Sequence, residues 1–126
     1  DKAVLWYERA AKNGSTAAMV ALGVLYGAKG DRERAKTQFK RAADSGDETG
    51  MYNYGCMMRS EGDAVGARDA FSSAANKGYT PAMFNLGKMA EEAGNRSAAE
   101  GYYRMGADKD DNACVRALAH LSSDGE

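Results

Sequence analysis

The sequence has little of what reactive chemistry or a cross-linked scaffold requires. Its 126 residues include one proline, one histidine, one tryptophan and two cysteines. With a single proline, helices run uninterrupted and glycine must supply the turns. Two cysteines cannot staple a small secreted domain. One histidine and two distant cysteines also fall short of zinc, which takes about four ligands at compatible spacing. Charge of one sign is missing too: 17 basic residues stand against 18 acidic ones, a formal net charge of −1. Residues 1–63 carry ten bases and nine acids, residues 64–126 seven and nine, so no basic field exists to hold a nucleic acid. No apolar run approaches the roughly 18 residues of a membrane span, and the opening residues lack a signal-peptide profile. Small residues are abundant. The 24 alanines and 15 glycines, in a chain 44% hydrophobic and 28% charged, predict closely packed helices joined by short glycine turns.

An internal repeat organises the chain. Ala10-Ala11-Lys12-Asn13-Gly14 recurs as Ala42-Ala43-Asp44-Ser45-Gly46 and Ala74-Ala75-Asn76-Lys77-Gly78, a step of 32 residues each time. The fourth copy, Gly106-Ala107-Asp108-Lys109-Asp110, keeps the step but loses the alanine and glycine identities at its two ends. Other columns hold the same register: Tyr7, Phe39, Phe71, Tyr103; Ala3, Ala35, Ala67, Ala99; Met19, Met51, Met83, Val115; Gly23, Gly55, Gly87.

Each period reads as two helices. Ser15, Asp47 and Asp111 suit N-caps of the first helix, and in the third copy Thr80 can cap, with Pro81 at the first helical position. Gly30-Asp31, Gly62-Asp63 and Gly94-Asn95 end that helix and cap the next. The predicted helices are 2–12, 16–28, 32–44, 48–60, 64–76, 81–93, 96–108 and 112–122. Ala35, Phe39, Ala42 and Ala43 fall on one helical stripe, as do Met19, Leu22, Gly23 and Tyr26 on its partner. A glycine inside a helix costs about 0.5–1 kcal/mol relative to alanine, so the registered glycines predict close approach of a bulky neighbour, the Tyr/Phe column.

These motifs resemble the Sel-1-like repeat, a relative of the tetratricopeptide repeat, across essentially the whole chain. The family pattern of Ala-Ala-x-x-Gly followed by x-x-Ala-x-x-x-Leu-Gly stands here as Ala10 to Gly14 with Ala18 and Leu22-Gly23. It stands again as Ala74 to Gly78 with Ala82 and Leu86-Gly87. The second copy has Gly50 and Tyr54-Gly55, the fourth Cys114 and Leu118-Ala119. The 32-residue period is shorter than the 34 of tetratricopeptide repeats. The resemblance implies an all-α, right-handed α-solenoid: a partial repeat 1–14, repeats 15–46, 47–78 and 79–110, and a partial repeat 111–126 in one repeat domain. Beginning in a second helix and ending in a first, the chain reads as part of a longer protein.

No constellation for catalysis, a cofactor or a metal emerges, so the chain is read as a non-enzyme. Cys114 and His120 lie six apart on one helix, about 240° around its axis, and face different ways. Asp108-Lys109-Asp110-Asp111-Asn112 starts like a calcium loop but has Ala113 where that loop needs glycine and Ala119 where it needs glutamate. Arg32, Arg34, Lys36, Lys40 and Arg41 read as a solvated outer face. Cys56 and Cys114 are expected to remain free thiols, which suits a reducing compartment such as the cytoplasm. Cys56, in the column of Val24 and Lys88, is expected to be the more exposed.

The resemblance implies that first helices line a concave groove and that the partner is a protein or peptide segment, with the chain acting as scaffold or adaptor. The columns turned away from each hairpin core give Val20 and Val24, Tyr52 and Cys56, Phe84 and Lys88, then Arg116 and His120. Asn53, Arg59, Asn85 and Glu91 flank them. Tyr52 and Phe84 share a column and predict an apolar strip, with Asn53 and Asn85 placed to bond an extended backbone. Tetratricopeptide domains that clamp a terminal carboxylate have Lys and Asn where this chain has Val20 and Val24. The alternative is a structural module that self-associates through its end helices.

Overall fold

The computed structural model describes residues 2–124, and every regular element among them is an α-helix. In order these are α1 (Lys2–Lys12), α2 (Thr16–Ala28), α3 (Arg32–Asp44), α4 (Glu48–Ser60), α5 (Ala64–Asn76), α6 (Thr80–Glu92), α7 (Arg96–Ala107) and α8 (Asn112–Asp124). Helix starts follow the caps. Ser15, Asp31, Asp47, Asp63, Asn95 and Asp111 each accept a hydrogen bond from the amide three residues on, at 2.8–3.2 Å. Helix α6 departs from the sequence expectation. Thr80 is its first helical residue rather than its cap, Tyr79 sits at the cap position without a side-chain hydrogen bond, and Pro81 comes second. Proline is tolerated there because first-turn amides have no intrahelical acceptor.

Helix ends are set by glycines. Gly14, Gly30, Gly46, Gly62, Gly78 and Gly94 all adopt φ between 77° and 95°, left-handed backbone that a Cβ disfavours. Where the fourth copy has Asp110 instead, the backbone still takes φ 62°, so the turn survives the substitution.

The helices gather into two compact units, one reaching Ala70 and the other starting at Phe71. In the first, α2 packs on α1 and α3, α3 packs on α4, and α2 also meets α4. Its core comprises Ala11, Ala18, Met19, Leu22, Tyr26, Ala35, Phe39 and Ala42. In the second, α7 packs on α6 and α8, and α6 meets α8, around buried Met83, Leu86, Ala99, Tyr103, Cys114 and Leu121.

At Gly23 and Gly87 the glycine column admits the aromatic column. A Cβ placed on Gly23 would stand 2.7 Å from Phe39 Cδ1, and one on Gly87 would stand 2.6 Å from Tyr103 Cδ1. Both are far inside van der Waals contact. Two further glycines that stand where the repeat otherwise has alanine are also closely approached. A Cβ on Gly106 would lie 2.8 Å from Cys114 Cβ, and one on Gly50 would lie 2.9 Å from the Ala43 amide nitrogen. The fourth copy takes Cys114 at a position otherwise alanine or glycine because Gly106, opposite it, has given up its methyl group. Two column members depart from their mates. Tyr7 is 40% exposed where Phe39, Phe71 and Tyr103 are buried, and Val115 is 45% exposed where Met19 and Met83 are buried.

Candidate functional site

The basic residues of α3 are engaged locally. Lys36 Nζ donates to Glu61 Oε1 at 2.8 Å, Arg34 Nε lies 3.5 Å from Asp31, and Lys40 Nζ pairs with Asp44 at 3.1 Å. Arg32 reaches Glu61 at 3.8 Å and donates to the Ser60 hydroxyl, while Arg41 donates to the carbonyl of Ala11. The Glu61 hydrogen bond raises the Lys36 ammonium above its ordinary value, and the same bond lowers the Glu61 carboxyl. Helix α3 presents a charge-balanced outer face rather than a ridge of open cations.

In the first unit, α2 and α4 carry Val20, Val24, Tyr52, Asn53, Cys56 and Arg59. Val24 is exposed, while Val20 packs against the core cluster. Tyr52, Asn53, Cys56 and Arg59 are all half-buried. The Asn53 amide donates to the Thr49 carbonyl at 2.9 Å, one turn back on its own helix. Burial raises the Cys56 thiol, partly opposed by a hydrogen bond from Tyr52 and the charge of Arg59.

In the second unit, the columns expected to face outward on α6 and α8 converge. Phe84, Lys88, Ala113, Arg116, Ala117 and His120 line one open cavity of about 410 Å³. Phe84 packs on the core side against Tyr103, ring centroids 6.0 Å apart and tilted by 42°. On the solvent side Lys88 Nζ lies 5.6 Å from its ring centroid, a cation–π distance. Lys88, Arg116 and His120 are exposed. Asn85 donates to the Pro81 carbonyl at 3.1 Å, as Asn53 does to Thr49. The amides expected to reach an extended backbone therefore each bond their own helix. Glu91 accepts a hydrogen bond from the Tyr103 hydroxyl, which ties its carboxylate to α7.

The tetratricopeptide repeat family model matches residues 17–45. The chain is also similar to the crystal structure of a protective antigen present in uropathogenic Escherichia coli strains, described as displaying an SLR fold. That likeness has a TM-score of 0.82 at 28% identity over 98% of this chain. The chain is a Sel-1/tetratricopeptide-like repeat protein. It spans 29% of the length of that antigen's chain. A comparison with curated proteins finds no match.

As a Sel-1/tetratricopeptide-like repeat it has the architecture of an all-α helical-repeat solenoid, a class whose members are generally non-catalytic protein–protein interaction scaffolds. Its cysteines are both unbridged. Cys56 is half-buried and Cys114 fully buried, the order that the columns predicted. Burial, followed by the nearby Asp111 carboxylate, pushes the Cys114 thiol up to about 12. A thiol so protonated is a poor nucleophile. Among the described residues no three of His, Cys, Asp and Glu cluster as metal ligands, and no helix is long and apolar enough to cross a membrane.

Proposed function

We propose that this chain is a non-catalytic scaffold that binds a segment of a partner protein along the outward faces of its first helices. The observation that carries the reading is the α6/α8 groove. There, Phe84, Lys88 and Arg116, picked out by column register, line one cavity together with His120. Grooves lined by an aromatic side chain are among the forms that peptide-segment recognition takes. The residues proposed to contact partner are Val20, Val24, Tyr52, Asn53, Cys56 and Arg59 in the first unit. In the second they are Phe84, Lys88 and Arg116, with Asn85 and Glu91 at the periphery. Capture of a defined partner should weaken in the double variant Tyr52→Ala, Phe84→Ala while circular dichroism stays unchanged. Undiminished capture would move the site off these helices.

A second reading, self-association, rests on α1. Leu5 and Trp6 are 65% and 68% exposed and, with Lys2 and Arg9, border a cavity of about 330 Å³. Beside them Tyr7 exposes a face whose counterparts, Phe39 and Tyr103, lie against a helical glycine. A helix of the α2 type, supplied by a second copy, would cover it as α2 covers Phe39.

A further inference from the structure

Within the chain one helix-to-helix joint is built twice. Met19, Leu22 and Gly23 of α2 face the stripe of Ala35 and Phe39 on α3, and Met83, Leu86 and Gly87 of α6 face Ala99 and Tyr103 on α7. Every one of these residues is buried. Helix α8 lies three periods after α2 and carries the first-helix columns as Val115, Leu118 and Ala119. There Val115 is 45% exposed, Ala119 is exposed and Leu118 is half-buried. Helix α1 lies one period before α3 and carries the second-helix columns as Ala3 and Tyr7. Tyr7 is 40% exposed and Ala3 is exposed, whereas Ala35, Ala67 and Ala99 are fully buried. Helix α8 thus displays the first-helix half of a joint, and α1 displays the second-helix half.

The two halves are complementary in chemistry as well as in register. Ala3, Tyr7 and Ala10 on one side, and Val115, Leu118, Ala119 and Ser122 on the other, carry no charge. Burying them against each other strands no ion. One position departs from the internal joints. Gly23 and Gly87 leave the space of a Cβ to the facing ring, whereas Ala119 fills it. Room for a shifted ring lies on the same stripe. Val115 precedes Ala119 by four residues and Ser122 follows it by three, where α2 has the bulkier Met19 and Tyr26.

We propose that α8 of one copy of this chain seats on α1 of a second copy. The contact re-forms between molecules the helix pair that α2 and α3, and α6 and α7, form within one. Tyr7 of the second copy lies across Ala119, bordered by Val115 and Leu118. Because the two surfaces differ, the contact is heterologous and copies add head to tail. The proposal rests on the self-association reading and names the two surfaces that meet.

The internal joint supplies a distance for the test. A Cβ on Gly27 would lie 4.0 Å from Ala35 Cβ, inside the roughly 3.5–4.5 Å that a disulfide spans. The corresponding pair across the proposed contact is Ser123 on α8 and Ala3 on α1. A Ser123→Cys chain mixed with an Ala3→Cys chain, both also carrying Cys56→Ser, should give a covalent heterodimer under mild oxidation, identified by mass. Neither chain alone should give a covalent dimer. Separately, Ala3→Glu and Ala119→Glu each place a carboxylate in the apolar contact and should weaken association about tenfold or more by light scattering. Both sites are exposed, so circular dichroism should be unchanged. Mixed one to one, the two Glu variants should form a dimer and grow no further, since each keeps one intact half. Self-cross-linking of the Ala3→Cys chain, or a mixture of Glu variants that stays monomeric, overturns the head-to-tail contact. If the unmodified chain associates and both Glu variants associate equally well, this contact falls and self-association stands. An unmodified chain that is monomeric at every concentration removes both.

Discussion

Gly87 and Tyr103 compete for one volume, and so do Gly106 and Cys114; in each pair the glycine has yielded its side chain to the other residue. Gly87→Leu should therefore force Tyr103 off its site at an overpacking cost of about 1–3 kcal/mol, read as a lowered urea midpoint. Gly106→Ala should also destabilise, and Cys114→Gly in the same chain should recover part of the loss, since the two sites share one space. Additive effects in that double-mutant cycle would disprove the pairing. Cys114 also gives the fold an alkaline limit. Its thiol is raised from an ordinary 9.0 to about 12, so the folded chain keeps a proton that the unfolded chain releases. This contribution to stability is fully present below pH 9 and disappears as the pH rises toward 12. Tyr103, raised by burial and by its hydrogen bond to Glu91, acts in the same direction. Urea midpoints should fall from neutral pH to about pH 11, with a shallower slope in Cys114→Ala. In the native state a thiol reagent should reach Cys56 well before Cys114, and in denaturant both at one rate.

At the scale of the element, two cheap devices recur: a side-chain oxygen caps the start of α2, α3, α4, α5, α7 and α8, and a left-handed residue closes the end of α1 to α7. Asp31 accepts the Arg34 amide, and Asp31→Ala should cost about 1 kcal/mol in thermal or urea unfolding. Asp110 tests the other device. It holds φ 62° where three equivalent positions are glycine. Left-handed backbone costs a non-glycine residue about 1–2 kcal/mol, and glycine forfeits about 0.5–1 kcal/mol of chain entropy. Asp110→Gly should consequently stabilise by up to about 1 kcal/mol. A lower melting temperature for that variant would mean that the Asp110 side chain contributes more than the strain it carries.

At the scale of the molecule, charge and apolar surface are unevenly distributed. The cations of α3 are paired with neighbours, while Lys88 and Arg116 stand exposed on the α6/α8 groove. The exposed Leu5, Trp6 and Tyr7 on α1 make an apolar patch of the kind that marks an interaction surface. Static light scattering over a concentration series should show association of the chain, and Trp6→Glu should shift it back toward monomer. A strict monomer throughout the series removes the self-association reading and leaves segment binding untouched.

The sequence by itself determined the period, the order of the elements and nearly every helix boundary. Caps such as Asp47 and turn residues such as Gly46 act on backbone groups a few residues away, so their effect can be read along the chain. It also put Phe84, Lys88, Arg116 and His120 on outward columns. The tertiary structure decided whether a column member met its neighbour. Burial depends on helices 16 or more residues away in sequence, which is why Tyr7 and Val115 stand exposed although their column mates are core. The same dependence hid the pairing of Gly106 with Cys114, which looks in the sequence like two separate lapses of the repeat. Side-chain direction was equally out of reach: Asn53 and Asn85 could serve a ligand or their own helix, and the nearby Thr49 and Pro81 carbonyls settled it. Glu91 was likewise drawn to Tyr103 by a hydroxyl one helix away. Local hydrogen bonding obeys sequence distance; packing and polar pairing obey distance in space, which only the folded chain sets.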